Sequence, residues 1–328
     1  MAKIAVELEQ ALARRALTGA AGGLTMRRLA GGDGWSVGDV ICTYGPGDRP
    51  FEERRADVSF ALVIAGTFEY RSGAGRELMT PGSILLGSAD RSFVCGHDHG
   101  AGDRCLSFHY DPDRFECLAA EATGRPRAWP ARGGRPHARP LRLPPLRPLS
   151  ALVARACGGL TGAIDVSWEE LSLQMAARTA RLAGGFPPGA AAVHPAAIAR
   201  VTRVVRRIER DPGDDLSLRV LAREARLSPY HFLRAFRRVT GVTPHQYVLR
   251  SRLRDAALRL AAGPGRVADA AFDSGFGDVS NFNRAFRAEF GASPRAYRMA
   301  VAAPGARCVV VLNSSTSGIS TADRPYRS

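Results

Sequence analysis

The chain predicts an α+β, multidomain architecture. A first half of short strands closes into a β-barrel or sandwich with helices after it, and an all-α second half contains two helix-turn-helix motifs. Three observations carry this. Between residues 24 and 110 short apolar runs are punctuated by Gly, Asp and Pro, as in antiparallel strands. Between residues 218 and 297 the spacing becomes helical, and one short pattern occurs twice. At 328 residues there is material for two ordinary domains.

In chain order, residues 2–17, with Ile4, Leu8, Leu12 and Leu17, read as a short amphipathic helix or a loosely held end. Strands are expected at 40–44, 59–64, 67–71, 83–86, 92–95 and 105–110, with Pro81-Gly82 as a turn before the fourth. Residues 111–122 read as a helix with Phe115, Leu118 and Ala119 inward. The Pro- and Arg-rich stretch 124–148 reads as a long loop over the sheet, a solvated connector in preference to a nucleic-acid-binding arm. Two helices follow, 149–160 and 167–183, the second with a capping box at Ser167 and Glu170. The expected domains are 20–184, a linker at 185–195 rich in Gly, Pro and Ala, a helical domain at 196–300, and a disordered tail at 301–328.

The repeat is the strongest signal. Phe232, Arg234, Ala235, Phe236, Arg237, Gly241, Pro244 and Tyr247 recur fifty residues later as Phe282, Arg284, Ala285, Phe286, Arg287, Gly291, Pro294 and Tyr297. Upstream, Leu221, Ala222 and Leu227 correspond to Ala270, Ala271 and Phe276 at an offset of forty-nine, so the second copy has one more residue after its turn. Each copy reads as helix, tight turn, helix. Ser228 with Pro229 starts one second helix, and Asp278 or Ser280 caps the other. Phe232, Phe236 and Val239 form one inward stripe, and Phe282, Phe286 and Phe290 form its counterpart. Residues 243–262 fit a joining helix with Tyr247, Leu253, Ala257 and Leu260 inward.

The outward residues are Tyr230, His231, Leu233, Arg234, Arg237 and Arg238 in one copy, and Ser280, Asn281, Asn283, Arg284 and Arg287 in the other. Arginine can donate twice to guanine and asparagine can pair bidentately with adenine, while the first helix of a pair crosses the phosphates. An ordinary solvated basic face is the alternative. The formal charge of +15 favours an anionic partner. Residues 196–300 hold 20 Arg and no Lys against 10 acidic residues, so most of the surplus sits where the repeat is. Lys3 is the only lysine, a bias of composition and not a functional choice.

From about residue 200 to 298 the chain resembles the AraC/XylS family of transcription regulators. The resemblance lies in Leu227-Ser228-Pro229, Phe236 with Thr240-Gly241, Arg252-Leu253, Gly275-Phe276 and the run from Phe290 to Arg298. It implies a sequence-specific, effector-responsive regulator, often an activator, whose two units enter successive major-groove segments of double-stranded DNA. It carries DNA contact to Tyr230, Leu233, Arg234, Ser280, Asn281, Asn283 and Arg284. It further implies a cupin-like N-terminal effector domain, contact with RNA polymerase, and a homodimer through the helices at 149–183, for which packing on their own sheet is the alternative. Arg226 stands where the family usually has glycine, which implies an adjusted first turn or a different end to its helix.

Cys95, His97 and His99 stand at alternate positions, so on a strand all three share one face. With Cys105 they make an S2N2 set of the kind zinc or another borderline divalent metal takes, provided a five-residue loop puts Cys105 opposite His99. Cys42 is a further soft ligand of unknown position. Two buried cysteines and hydrogen-bonded histidines are the alternative. The effector is therefore a small molecule or a metal.

No stretch approaches a membrane span, no apolar run makes a signal core, and six cysteines lack disulfide-framework spacing, so a reducing cytoplasm is expected. Catalysis is not expected. A cupin-type metal-dependent enzyme draws histidines from two motifs, and residues 50–55 contain none. A nucleoid-style protein would explain the charge but not the doubled motif.

Overall fold

The computed structural model describes residues 2–87, 91–126, 129, 140–187 and 193–302. All but the first two residues of the expected tail, which continue the last helix, and part of the expected linker lie outside them. The first half contains helix α1 (Ala2–Thr18) and strands β1 (Leu24–Gly32), β2 (Trp35–Cys42), β3 (Phe51–Arg55), β4 (Val58–Gly66), β5 (Phe68–Ser72), β6 (Gly75–Met79), β7 (Ile84–Leu86), β8 (Arg91–Gly96) and β9 (Asp103–Tyr110). Helix α2 (Pro112–Thr123), strand β10 (Arg142–Leu143) and helices α3 (Ser150–Leu160) and α4 (Trp168–Ala183) complete it.

A six-stranded sheet runs β1-β2-β9-β4-β7-β10 and a four-stranded sheet runs β3-β8-β5-β6, all neighbours antiparallel. The expected strands are present; β1, β3 and β6 are additional. Glu52, Glu53, Arg54 and Arg55 hid β3, because charge there masks the alternation that marks a strand.

Central β9 is buried at every position. Leu106, Phe108 and Tyr110 point out of the barrel into a core shared with α1, α2 and α4, which includes Ile4, Leu8, Phe115 and Met175. The alternate residues Asp103, Cys105, Ser107 and His109 point inward and line the space between the sheets. The main core therefore lies between barrel and helices, and between the sheets these polar groups share the space with a smaller apolar cluster that includes Val63, Phe68, Leu85 and Phe93. Ile4 and Leu8 are 4% and 5% exposed, so α1 is packed and not a loose end.

Over residues 140–146 the stretch 124–148 is not a solvated connector, whereas Gly124, Arg125 and Pro126 are exposed. Pro140 to Leu146 is buried, β10 pairs with β7, and Leu141, Leu143 and Leu146 join apolar clusters. The prolines in this stretch disguised a two-residue strand. Ser167 caps α4 by accepting from Glu170 N–H at 3.3 Å, but the Glu170 carboxylate accepts from Gln174 at 2.8 Å, so the expected capping box is half made.

The second half contains α5 (Pro195–Arg210), α6 (Leu218–Glu224), α7 (Pro229–Thr240), α8 (Pro244–Ala262), α9 (Val267–Asp273), α10 (Val279–Phe290) and α11 (Pro294–Ala302). The long α8 follows a complete capping box of Thr243 and Gln246. The apolar cluster behind the barrel continues into Ile198, Val201, Phe232 and Phe236. Ala154 of α3 enters the second cluster beside Leu253, Ala257, Phe286 and Phe290. Among the described residues no helix is long and apolar enough to cross a membrane.

Candidate nucleic-acid interface

Both helical pairs build themselves by the same local rules. α6 buries Leu221 and Ala222, and α9 buries Ala270 and Ala271. Each chain then reverses through a left-handed residue, Arg226 at φ 54° and Gly275 at φ 88°. In both turns the next amide closes back on the helix, Leu227 N–H to Ala222 O at 3.0 Å and Phe276 N–H to Ala271 O at 3.1 Å. The turn at Arg226 is thus not adjusted. It keeps the glycine geometry at a conformational cost.

α7 starts on Ser228, whose Oγ accepts from His231 N–H at 3.4 Å; α10 starts on Asp278, whose Oδ1 accepts from Asn281 N–H at 2.7 Å. Both end on left-handed glycines, Gly241 and Gly291, which donate to Arg237 O and Arg287 O at 2.8 and 2.9 Å. Behind α7 the Phe232 and Phe236 rings lie 5.5 Å apart, and Phe236 meets Tyr247 at 5.7 Å. The second copy repeats both contacts at 5.4 Å, between Phe282 and Phe286 and between Phe286 and Tyr297.

With the aromatic side inward, the opposite face is set by helical period alone. Tyr230, His231, Leu233, Arg234 and Arg238 are exposed and Arg237 is half-buried; Ser280, Asn281, Asn283, Arg284 and Arg287 are exposed. Tyr230, 64% exposed, carries the Arg234 guanidinium 5.7 Å from its ring centre. His231 Nδ1 lies 2.8 Å from Ser228 Oγ, so the cap occupies one of its nitrogens. The α7 face offers guanidinium forks and the α10 face adds two asparagine amides to them, the equipment for base edges and phosphates.

Sequence reasoning singled out no charged residue of α5. Arg203, Arg206, Arg207 and Arg210 on that helix, with His99, Asp214 and Glu224, line an open cleft of about 690 Å³. Their spacing of three and four was the signal. Arg207 pairs with Asp214 at 2.9 Å and Glu224 at 3.4 Å, and burial next to Arg210 holds the Arg206 guanidinium below its ordinary value.

The far end of α7 is held by the barrel. Arg142 on β10 donates to Val239 O and Thr240 O, both at 2.7 Å, and to Glu77 on β6 at 2.6 Å. Arg250 on α8 reaches Pro145 O at 2.9 Å, and Tyr247 Oη donates to Pro81 O at 3.5 Å.

Inside the barrel the predicted Cys/His set is rearranged. Strand β8 ends at Gly96, so the alternation that would align Cys95, His97 and His99 stops before either histidine. His99 turns outward, its Nε2 3.5 Å from Glu69 Oε1. His97 turns inward and joins Cys42 and Asp103, with donor atoms within 4.8 Å of one another. Cys95 and Cys105 line the same cavity. Asp103 was missed, although it alternates with Cys105 on one strand. Burial, reinforced by the Asp103 carboxylate, pushes the Cys42 thiol up to about 12.

Residues 221–300 match a family model described as a helix-turn-helix domain. The chain is similar to the HTH-type transcriptional regulator MtrA of Neisseria gonorrhoeae, 28% identical over 99 residues that cover 30% of this chain and 33% of that protein. It is similar to the HTH-type transcriptional activator RhaS of Klebsiella pneumoniae, 34% identical over 100 residues, 30% of this chain and 36% of that one. A solved transcriptional regulator of Chromobacterium violaceum, described as AraC-type DNA-binding domain-containing, is 26% identical, over 32% of this chain and 95% of that chain, at a TM-score of 0.30. The chain spans about a third of the length of the curated relatives it matches.

Proposed function

With an AraC-type helix-turn-helix domain over residues 221–300 as the premise, we propose that the protein is a transcription regulator that binds double-stranded DNA in a sequence-specific way. α7 and α10 lie in successive major-groove segments, with Tyr230, Leu233, Arg234, Ser280, Asn281, Asn283 and Arg284 toward base edges and His231, Arg237, Arg238 and Arg287 toward phosphates. The observation that carries this reading is the duplicated helix, capped and backed by the same rings at both copies, with Arg234 and Arg284 exposed at the same position on the other side. Arginine-phosphate contacts supply most of the affinity, which falls steeply with salt, and a few base contacts of about 1–3 kcal/mol each supply discrimination.

In the same proposal the barrel senses an effector and passes its state to α7 through Glu77 and Arg142. A homodimer and contact with RNA polymerase complete the reading, the first tested by light scattering and the second by co-purification. Selection of bound sequences from random duplexes tests the core of it. Two conserved patches about 10 bp apart are expected. A pool left as random as it began, with random DNA competing equally, would leave a non-specific binder.

A further inference from the structure

The barrel interior gathers donor groups that no DNA contact uses. Cys42 ends β2, and Asp103, its antiparallel partner, begins β9. Paired residues on adjacent strands point to the same side, and Cys105, two residues on, points there too. His97 enters from the segment after β8 on the opposing sheet. His97 Nε2 lies 2.6 Å from Asp103 Oδ1 and 3.7 Å from Cys42 Sγ, while Cys105 Sγ lies 3.1 Å from Asp103 Oδ2. All four side chains are buried.

We propose that Cys42, His97, Asp103 and Cys105 form a binding site for one thiophilic divalent cation of the zinc class, held between the two sheets of the barrel.

Chemistry and space both favour a metal over an organic ligand. Two thiolates, an imidazole and a carboxylate make a tetrahedral set of the kind zinc takes, and sulfur and nitrogen around one zinc stand about 3.5 Å apart, close to the Cys42–His97 separation. Cys42, His97 and Asp103 already hold their donor atoms within 4.8 Å of one another, and Cys105 Sγ, outside that group but 3.1 Å from Asp103 Oδ2, completes the set by turning toward the ion. The cavity at the cluster offers about 80 Å³, room for an ion and a water or two, whereas drug-sized organic ligands fill about 300–1,000 Å³. Because the ligands come from both sheets, the ion would clamp β2 and β9 to the end of β8. The site is confined to the barrel and does not depend on whether the chain binds DNA.

The test uses the full chain with Zn²⁺ or Co²⁺ alone. One equivalent of Co²⁺ should give the intense visible bands of a tetrahedral site and a sulfur-to-cobalt charge-transfer band. Cys42→Ser and Cys105→Ser should each remove about half of that band. His97→Gln and Asp103→Asn, close in shape to the native residues, should each weaken binding by at least tenfold. Cys117→Ser and His99→Gln should change neither. Because a serine variant can fail to fold, zinc-edge X-ray absorption of the unaltered chain gives a reading that needs no variant. Two sulfur neighbours at about 2.3 Å and two nitrogen or oxygen neighbours at about 2.0 Å are expected. Less than a tenth of an equivalent bound, a shell without sulfur, or a charge-transfer band lost with Cys95→Ser and not with Cys105→Ser would each overturn the assignment.

Discussion

Arg226 and Gly275 occupy the same left-handed position in two copies of one turn, forty-nine residues apart, with the same pair of amides closing behind them. An arginine there accepts backbone strain that glycine does not feel. The reason both residues are tolerated in the same turn lies in their surroundings. A Cβ on Gly275 would come within 2.9 Å of Pro212 O and Gly213 Cα, so the second turn is pressed against the α5–α6 connection. Arg226 is exposed.

Opposite outcomes are therefore expected at the two positions. Arg226→Gly should raise stability by about 0.5–1 kcal/mol, the relief of left-handed strain less the entropy glycine loses on folding. Gly275→Ala should cost more than about 2 kcal/mol, because strain and a backbone collision add. Urea denaturation reads both. Equal effects of the same sign would show that the turns are not distinguished by their neighbours.

On the DNA side, Arg284→Ala should relax base preference at one position of the selected site, a loss of about 1–3 kcal/mol of discrimination. Arg287→Ala, in the last turn of α10, should weaken binding alike on all sequences and lower the salt slope by about 1. An unchanged consensus with Arg284→Ala would take that side chain out of the groove.

Arg142 is the most direct link between barrel and recognition helix. Replacing it with methionine keeps bulk but removes the donors from Val239 O and Thr240 O and leaves Glu77 without its cation. Charge-assisted bonds of this kind are worth about 1.5–3 kcal/mol when one partner is removed. Hydrogen exchange should accelerate in the last turn of α7 while the α10 amides keep their protection. Uniform acceleration over both helices would mean a loss of global stability and no specific link.

Asp39 and Arg104 form a buried pair across β2 and β9, with two bonds of 2.8 Å and relative exposures of 3% and 1%. Burial alone would raise the Asp39 carboxyl, but the bonds and charge of Arg104 and Arg27 outweigh it and hold the group below its ordinary value. A lowered folded-state value means that the pair's contribution is complete above the unfolded carboxylate value of about 3.9 and is lost as pH falls through the folded one. Asp39→Asn should thus cost about 3 kcal/mol near neutrality, and the gap from wild type should close below about pH 4. A gap that stays constant from pH 7 to pH 3 would show that the carboxylate charge contributes nothing.

The amino-acid sequence alone determined the helical half. Caps at Ser228 and Thr243, glycine stops at Gly241 and Gly291, and phenylalanines at every fourth position act within a turn or two of themselves, so their consequences can be read where they stand. The period that sends Phe232 and Phe282 inward also sends Arg234 and Arg284 outward. Only the tertiary structure decided the barrel interior. Cys42 meets Asp103 across a pairing of β2 with β9 that spans sixty-one residues, and β8 stops one residue before His97, which separates His97 from His99. The same holds for Arg142, whose partners on α7 lie almost a hundred residues away. Cross-strand register and the docking of one half on the other depend on which distant surfaces exclude water together, and no local spacing carries that information.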